Sequence, residues 1–241
     1  EIVFTGIHLM SYGKDIGGAA LLDAVAQADG LSGIRRIRLG SLEPQMFSKA
    51  FVRALADDPR VCRQFHLSLQ SGSAGVLARM GRRYTPEEYA QCVRMLREAM
   101  PESAVTTDII VGFPGETDAE FEETLALARR VALSRIHAFP FSPRKGTKAY
   151  GMPAQVGADV KKERAARLIA LGKELEAGFA RGHAGRVEEI LFEERRDAHL
   201  LGHTGTYVMT KVKTDADLIG EIAKVKIAAA RGNALEGEII S

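Results

Sequence analysis

Asp108 stands inside Val105-Thr106-Thr107-Asp108-Ile109-Ile110-Val111, an apolar run that reads as a strand covered on both faces. An unpaired carboxylate there is costly, so it must meet a partner or a polar ligand. Two ribose hydroxyls are suitable donors. Backbone amides or an Arg would serve as well, and the acid would then be structural. Beyond the same strand, Gly112-Phe113-Pro114-Gly115-Glu116 offers Gly112 and Gly115, where backbone can approach a flat ligand closely. Arg79, Arg82 and Arg83 cluster as if to hold a carboxylate or phosphate, or form a solvated charged turn. His8, His66 and His137 show no ligand spacing and read as core or supporting residues, so no metal site is expected.

Rival chemistries lack their signatures. There is no Walker A sequence and no G-x-G-x-x-G fingerprint. Ser71-Gly72-Ser73-Ala74-Gly75 brushes the G-x-S-x-G nucleophile elbow, but Ser71 occupies the first glycine position. Cys62 and Cys92 lie too far apart for a metal site or a disulfide scaffold, and the compartment reads as reducing. Cys92 falls on an apolar helix face as a small core residue.

The elements that must position these residues alternate. Of 241 residues, 46% are hydrophobic and 27% charged, the balance of a soluble globular chain with a sizeable core. A net charge of +2 neither demands nor excludes nucleic acid. No apolar run is long enough for a membrane helix. The start, Glu1-Ile2-Val3-Phe4-Thr5-Gly6-Ile7, reads as a strand rather than a signal peptide, as if continuing a longer protein. Strands are predicted at 1–7, 35–40, 65–70, 104–112 and 135–140, and helices at 18–28, 45–57, 85–100, 117–132 and 158–181. Thr85-Pro86-Glu87-Glu88 and Thr117-Asp118-Ala119-Glu120 are helix starts of capping-box type. Such strand–helix units predict a parallel α/β sheet. From about Gly185, short runs at 187–192, 207–212 and 222–228, separated by turn residues, predict a small antiparallel barrel.

In parallel α/β folds, reactive residues gather at the carboxyl ends of strands. Here those ends carry Gly6 and His8, Glu43, Gln70 and Ser71, the Gly112–Glu116 loop, and Ser142-Pro143-Arg144-Lys145. They form one candidate ligand rim, although loops are commonly polar without any ligand.

These stretches together resemble the methylthiotransferase branch of the radical S-adenosylmethionine enzymes. The resemblance rests on EIVFTGIHLMSYG (1–13), RIRLGSLEP (36–44), HLSLQSGSAGVLARMGRRYT (66–85), TTDIIVGFPGETDAEFEET (106–124) and HAFPFSPRKGTKA (137–149). MPAQV (152–156) and KKER (161–164) follow in order, and LFEE, GHTGTYV and GEIAKVKI resemble the TRAM domain, an RNA-binding β-barrel. The fold implied is a partial parallel (β/α) barrel lacking its first strand over 1–183, then an OB-like TRAM barrel over 184–241. TGIHLMSYG and FPFSPRKGT are similar to the enzymes that methylthiolate N6-threonylcarbamoyladenosine beside the tRNA anticodon. Relatives acting on isopentenyladenosine or on a ribosomal protein usually differ there or at Gln70-Ser71. A non-catalytic RNA-binding module, or another parallel-barrel enzyme using the rim for a phosphorylated metabolite, stands as an alternative.

The resemblance implies a cytoplasmic enzyme that uses S-adenosylmethionine, two 4Fe-4S clusters, a sulfur donor and tRNA. One cluster cleaves S-adenosylmethionine to a 5′-deoxyadenosyl radical that takes the hydrogen at C2 of the adenine, and the second supplies the methylthio group. Cluster ligation requires thiolates. Cys62 and Cys92 match none of the family's cluster cysteines, so these residues alone are expected to be inactive, with no catalytic residue and no metal ligand among them. By position in the matched segments, Gly6 would lie near the methionine amino group, and Gln70 and Ser71 near the methionine or ribose. Asp108 would meet the ribose hydroxyls, Gly112 and Gly115 would flank the adenine, and Arg82 or Arg83 would meet the carboxylate. Glu43 would be a further polar contact. Arg144 and Lys145 would touch tRNA phosphate, and Tyr207, Lys211 and Lys213 would stack on and bind RNA.

Overall fold

The computed structural model describes residues 1–15, 17 and 20–240. The chain divides into two compact units, Glu1–Gly172 and Lys173–Ser241. In the first, strands β1 (Ile2–Phe4), β2 (Ile37–Leu39), β3 (Ser41–Leu42), β4 (Gln64–Leu67), β5 (Ala104–Val111) and β6 (Arg135–Pro140) are parallel wherever they pair. They lie in sequence order as a two-stranded β1-β2 sheet and a four-stranded β3-β4-β5-β6 sheet. The single strand expected at 35–40 is thus split, because the chain passes from one sheet to the other at Gly40.

Between the strands run α1 (Leu21–Gln27), α2 (Lys49–Asp57), α3 (Ala74–Arg79), α4 (Pro86–Ala99) and α5 (Asp118–Arg130). The helix expected at 18–28 has its first two positions outside the described residues. The helix expected at 45–57 starts late, where Ser48 accepts a hydrogen bond from the Phe51 amide. Both threonine capping boxes form, Thr85 with Glu88 and Thr117 with Glu120. The stripes behind them pack inward, Tyr89, Val93, Leu96 and Met100 on one side and Phe121, Leu125, Ala128 and Val131 on the other. The short helix α3 has no periodic stripe long enough to show in the sequence.

The long helix α6 (Ala158–Arg181) crosses from the first unit into the second. Strands β7 (Val187–Arg196), β8 (His199–Thr204), β9 (Met209–Lys213), β10 (Ile222–Arg231) and β11 (Ala234–Ile239) close a barrel in the order β10-β11-β9-β8-β7. Four of its pairings are antiparallel, but β11 pairs with β9 in parallel. The small antiparallel barrel expected from the sequence is present, with one parallel seam that the sequence did not show. Turn residues reveal hairpin neighbours, whereas closure joins strands separated by a third. Ile190, Phe192, Leu200, Val212, Val225, Ile227 and Leu235 fill the interior.

Gly202 is sterically required in the barrel: a Cβ there would lie 2.1 Å from the Leu191 carbonyl oxygen. Gly202→Ala should therefore destabilise the barrel by at least the ~1–3 kcal/mol typical of overpacking, read by denaturant unfolding. An unchanged midpoint would refute the close approach.

Candidate functional site

Strand β5 determines what the site can be. Val105, Thr107, Ile109 and Val111 point to the helix-covered side and are fully buried, whereas Thr106, Asp108 and Ile110 alternate to the other side. The two sides differ. Tyr89 of α4 donates to the Leu67 carbonyl and Tyr84 to those of Ser68 and Leu69, tying the covered side to the helices. On the opposite side the Asp108 side chain is 35% exposed. The strand is therefore not buried on both faces, and Asp108 escapes the full desolvation cost expected of an interior acid.

Asp108 and His137 are register partners on β5 and β6, and His66 is on β4. His66 Nε2 lies 3.5 Å from Asp108 Oδ2, and the two imidazole centroids are 6.2 Å apart. One ligand-type atom from each of His66, Asp108 and His137 falls within 4.8 Å of the others. Residue spacing shows no such grouping; neighbouring parallel strands make it. Burial holds the His66 imidazole below its usual pKa, with Asp108 opposing and His137 reinforcing the shift.

Other rim residues sort into three groups. Glu43 Oε2 pairs with His8 Nε2 at 3.0 Å, joining the loops after β3 and β1; Gly6 is exposed beside them. Gln70 continues the ladder beside β5, donating to the Asp108 carbonyl and accepting from the Ile110 amide, each at 2.9 Å. It does so at φ +66, a left-handed conformation that a residue with a Cβ adopts at some cost and that concentrates at ligand sites. Arg82 and Arg83 sit on the exposed turn between α3 and α4. Burial pushes the adjacent Tyr84 phenol up to about 12, and Arg82 and Glu43 are both near enough to act on it.

Three expectations are corrected. Ser71 is completely buried, with its Oγ 3.3 Å from Thr124 Oγ1 and accepting from the Ser73 amide. Its side chain fastens the turn to α5 rather than facing the rim. Gly112, at φ +72, is approached by protein rather than left open: a Cβ there would stand 2.2 Å from Lys161 Cγ. Arg79 likewise leaves the expected cationic cluster, since it binds both Glu120 oxygens and the Gly115 carbonyl.

The loop after β5 is held by a pairing of Glu116 with Arg164 that the sequence pattern does not show. Glu116 accepts from the Gly112 amide at 2.6 Å and from Arg164 Nη1 at 2.7 Å. Arg164, on α6, also reaches the Glu116 carbonyl and Asp118. Burial pushes the Glu116 carboxyl above its usual value, and the Gly112 amide and the Arg164 guanidinium pull it back. Arg144 and Lys145 are exposed in the loop after β6.

In the second unit, Tyr207, 43% exposed and at φ +66, stacks on His203 with ring centroids 4.4 Å apart and planes 11° from parallel. Glu193 pairs with the His203 Nδ1. Along β9, Thr210 and Val212 turn inward while Met209, Lys211 and Lys213 are exposed.

Residues 5–128 match the family model of the Radical SAM superfamily, and residues 183–240 that of the TRAM domain. The chain belongs to the radical SAM superfamily. A tRNA-2-methylthio-N(6)-dimethylallyladenosine synthase of Aquifex aeolicus is 38% identical over all of this chain and 55% of its own length. A threonylcarbamoyladenosine tRNA methylthiotransferase of Bacillus subtilis is also 38% identical, over all of this chain and 54% of its own. The chain thus spans about half the length of the curated relatives it matches. The structure of coproporphyrinogen III oxidase from Escherichia coli, a radical SAM enzyme, aligns over 80% of this chain and 46% of its own at TM-score 0.51 and 13% identity, a likeness of fold alone.

The superfamily implies S-adenosylmethionine and an iron–sulfur cluster, and this chain's residues fit only the first. A half-exposed carboxylate on an open sheet face, beside a polar rim, suits a nucleoside's hydroxyls. Cys62 and Cys92 do not suit a cluster. Both are buried, burial pushes both thiols up to about 11, and Cys92 Sγ already donates to the Pro44 carbonyl. Among the described residues, no helix is long and apolar enough to cross a membrane.

Removing Arg164 would strand Glu116, whose side chain is 1% exposed. Arg164→Met should cost about 3–5 kcal/mol in denaturant unfolding, the usual effect of leaving one buried charge unpaired. A loss below 1 kcal/mol would mean the clasp carries little of the loop's stability.

Proposed function

We propose that this chain is the cofactor-holding and RNA-binding portion of a tRNA methylthiotransferase, an enzyme that transfers a sulfur-containing group to a tRNA adenosine. The observation that carries this reading is one chain joining a radical SAM sheet, with Asp108 half-exposed on its open face, to a TRAM barrel. Relatives bearing that activity in their names, similar over the full length of this chain, support it. Its functional parts would be 1–183 and 184–241, in the cytoplasm.

On this reading Asp108 accepts from the ribose hydroxyls of S-adenosylmethionine, and Gln70 lies near its ribose or methionine part. Gly115, in the loop held by Glu116 and Arg164, flanks the adenine. Arg82 or Arg83 meets the methionine carboxylate, Gly6 lies by the amino group, and Glu43, paired with His8, adds a polar contact. When bound, the cofactor would supply radical chemistry for C2 of the target adenine; the two 4Fe-4S clusters that belong to this reading find no ligands in Cys62 and Cys92. This chain's own work is to bind, orient and exclude water.

Arg144 and Lys145 meet tRNA phosphate in the first unit. In the second, Tyr207 offers a stacking face and Lys211 and Lys213 offer phosphate contacts. The substrate assigned is N6-threonylcarbamoyladenosine, supported by TGIHLMSYG and FPFSPRKGT. Dimethylallyladenosine is the second reading, favoured by relatives of that name at equal identity.

Mass spectrometry of tRNA nucleosides from a strain lacking the gene should show loss of 2-methylthio-N6-threonylcarbamoyladenosine with the dimethylallyl form intact. The reverse pattern moves the substrate, and no change in either sinks the tRNA reading. Replacing Lys211 and Lys213 by Ala should lower the salt dependence of tRNA binding by about one unit of slope per residue. An unchanged slope removes β9 from the RNA-binding face.

A further inference from the structure

The trio His66, Asp108 and His137 has the composition of a two-histidine, one-carboxylate metal site. The hydrogen bonds behind it argue for a different use. Arg38 Nη1 donates to Gln64 Oε1 at 3.1 Å, and a guanidinium can only donate. That fixes the orientation of the Gln64 amide, whose Nε2 donates to Thr106 Oγ1 at 3.2 Å. The Thr106 hydroxyl, having accepted there, still has its own proton to place, and its other neighbour is His66 Nδ1 at 3.1 Å. Arg38, Gln64 and Thr106 are all buried, so water does not compete along this path.

The direction of the chain decides the tautomer. If Nδ1 accepts, a neutral His66 carries its proton on Nε2, the atom that faces Asp108 Oδ2 at 3.5 Å. A metal ligand would need the reverse, with a lone pair on Nε2 and the proton on Nδ1. Nδ1–H would then point at Thr106 Oγ1, and the buried hydroxyl proton would lose its acceptor. The depressed His66 pKa agrees with a ring that stays neutral.

We propose that His66 is a positioning residue for Asp108: a neutral Nε2–H imidazole, its tautomer set by the Arg38–Gln64–Thr106 chain, that holds the carboxylate by one oxygen and leaves the other for a ligand hydroxyl. The ligand half rests on the reading of Asp108 as the ribose acceptor of S-adenosylmethionine. The 3.5 Å separation is long for a hydrogen bond and is expected to shorten when the second oxygen is engaged. Position 66 thereby becomes a determinant of cofactor affinity that makes no contact with the cofactor.

The test uses the 15N-labelled 241-residue chain with S-adenosylmethionine and zinc as probes. Long-range proton–nitrogen spectra should show His66 as the Nε2–H tautomer, and Thr106→Val should convert it to a mixture. In calorimetric titration with S-adenosylmethionine, His66→Leu should weaken affinity about tenfold or more, the scale of a lost hydrogen bond to a charged group. His66→Gln, whose amide can still donate to Asp108, should stay within about threefold of the parent. Amide spectra establish that each variant is folded.

An Nδ1–H tautomer, or equal losses in the Leu and Gln variants, overturns the proposal. So does stoichiometric zinc uptake that moves the ring nitrogens of both His66 and His137, since the trio is then a metal site. If the parent chain does not bind S-adenosylmethionine, or Asp108→Asn binds it unchanged, the ribose reading and the ligand half of this proposal fail. The tautomer is judged on the spectra alone, so the two failures are told apart.

Discussion

The structure of the site depends on one constraint, the in-register parallel ladder of β4, β5 and β6. Parallel pairing sets adjacent strands about 4.8 Å apart and aligns their side chains in rows. It places Asp108 opposite His137 and Thr106 opposite His66. Because the side-chain period is two, a slip of one residue on β5 would send Asp108 into the helix-covered side and bring Thr107 or Ile109 out. The fully buried Val105, Thr107, Ile109 and Val111 forbid that slip. The apolar half of β5 therefore fixes the register that its polar half uses.

A second layer of order comes from charges that are buried and paired. Glu116 bridges the Gly112 amide and Arg164, and Arg79 bridges Glu120 and the Gly115 carbonyl. These two clasps pin the loop after β5 from both sides. Buried ion pairs contribute little net stability, because desolvation offsets the attraction, but they penalise any other arrangement heavily. Here that penalty holds a loop with two left-handed glycines in one conformation.

The second unit solves a different problem. A five-stranded barrel of this size has little interior, so close approach matters more than side-chain volume. Gly202 and Gly237 allow neighbouring backbone to come near, and the ladder is bulged at Phe192 and Ile227. Closure removes sheet edges and frees the outward residues of β9 for polar contact. Tyr207 stacked on His203 forms a flat exposed aromatic face.

The sequence by itself determined the alternation of strands and helices, the two capping boxes, the apolar stripes behind them and the change of character near Gly185. These are local: period, cap chemistry and turn residues act within a few positions of one another. Asp108 stood out in the sequence as an acid in an apolar run, but the expectation that both faces of its strand are covered did not hold, since its side chain is 35% exposed. Tertiary structure alone decided that β5 keeps one face open, that Ser71 turns to Thr124, that Lys161 fills the space over Gly112, and that β9 pairs with β11 in parallel. It alone brought Arg38, Gln64, Thr106, His66 and Asp108 into one row of polar contacts. The reason is physical. A hydrogen-bond partner contributed by another strand is chosen by register, and register is a property of the assembled sheet.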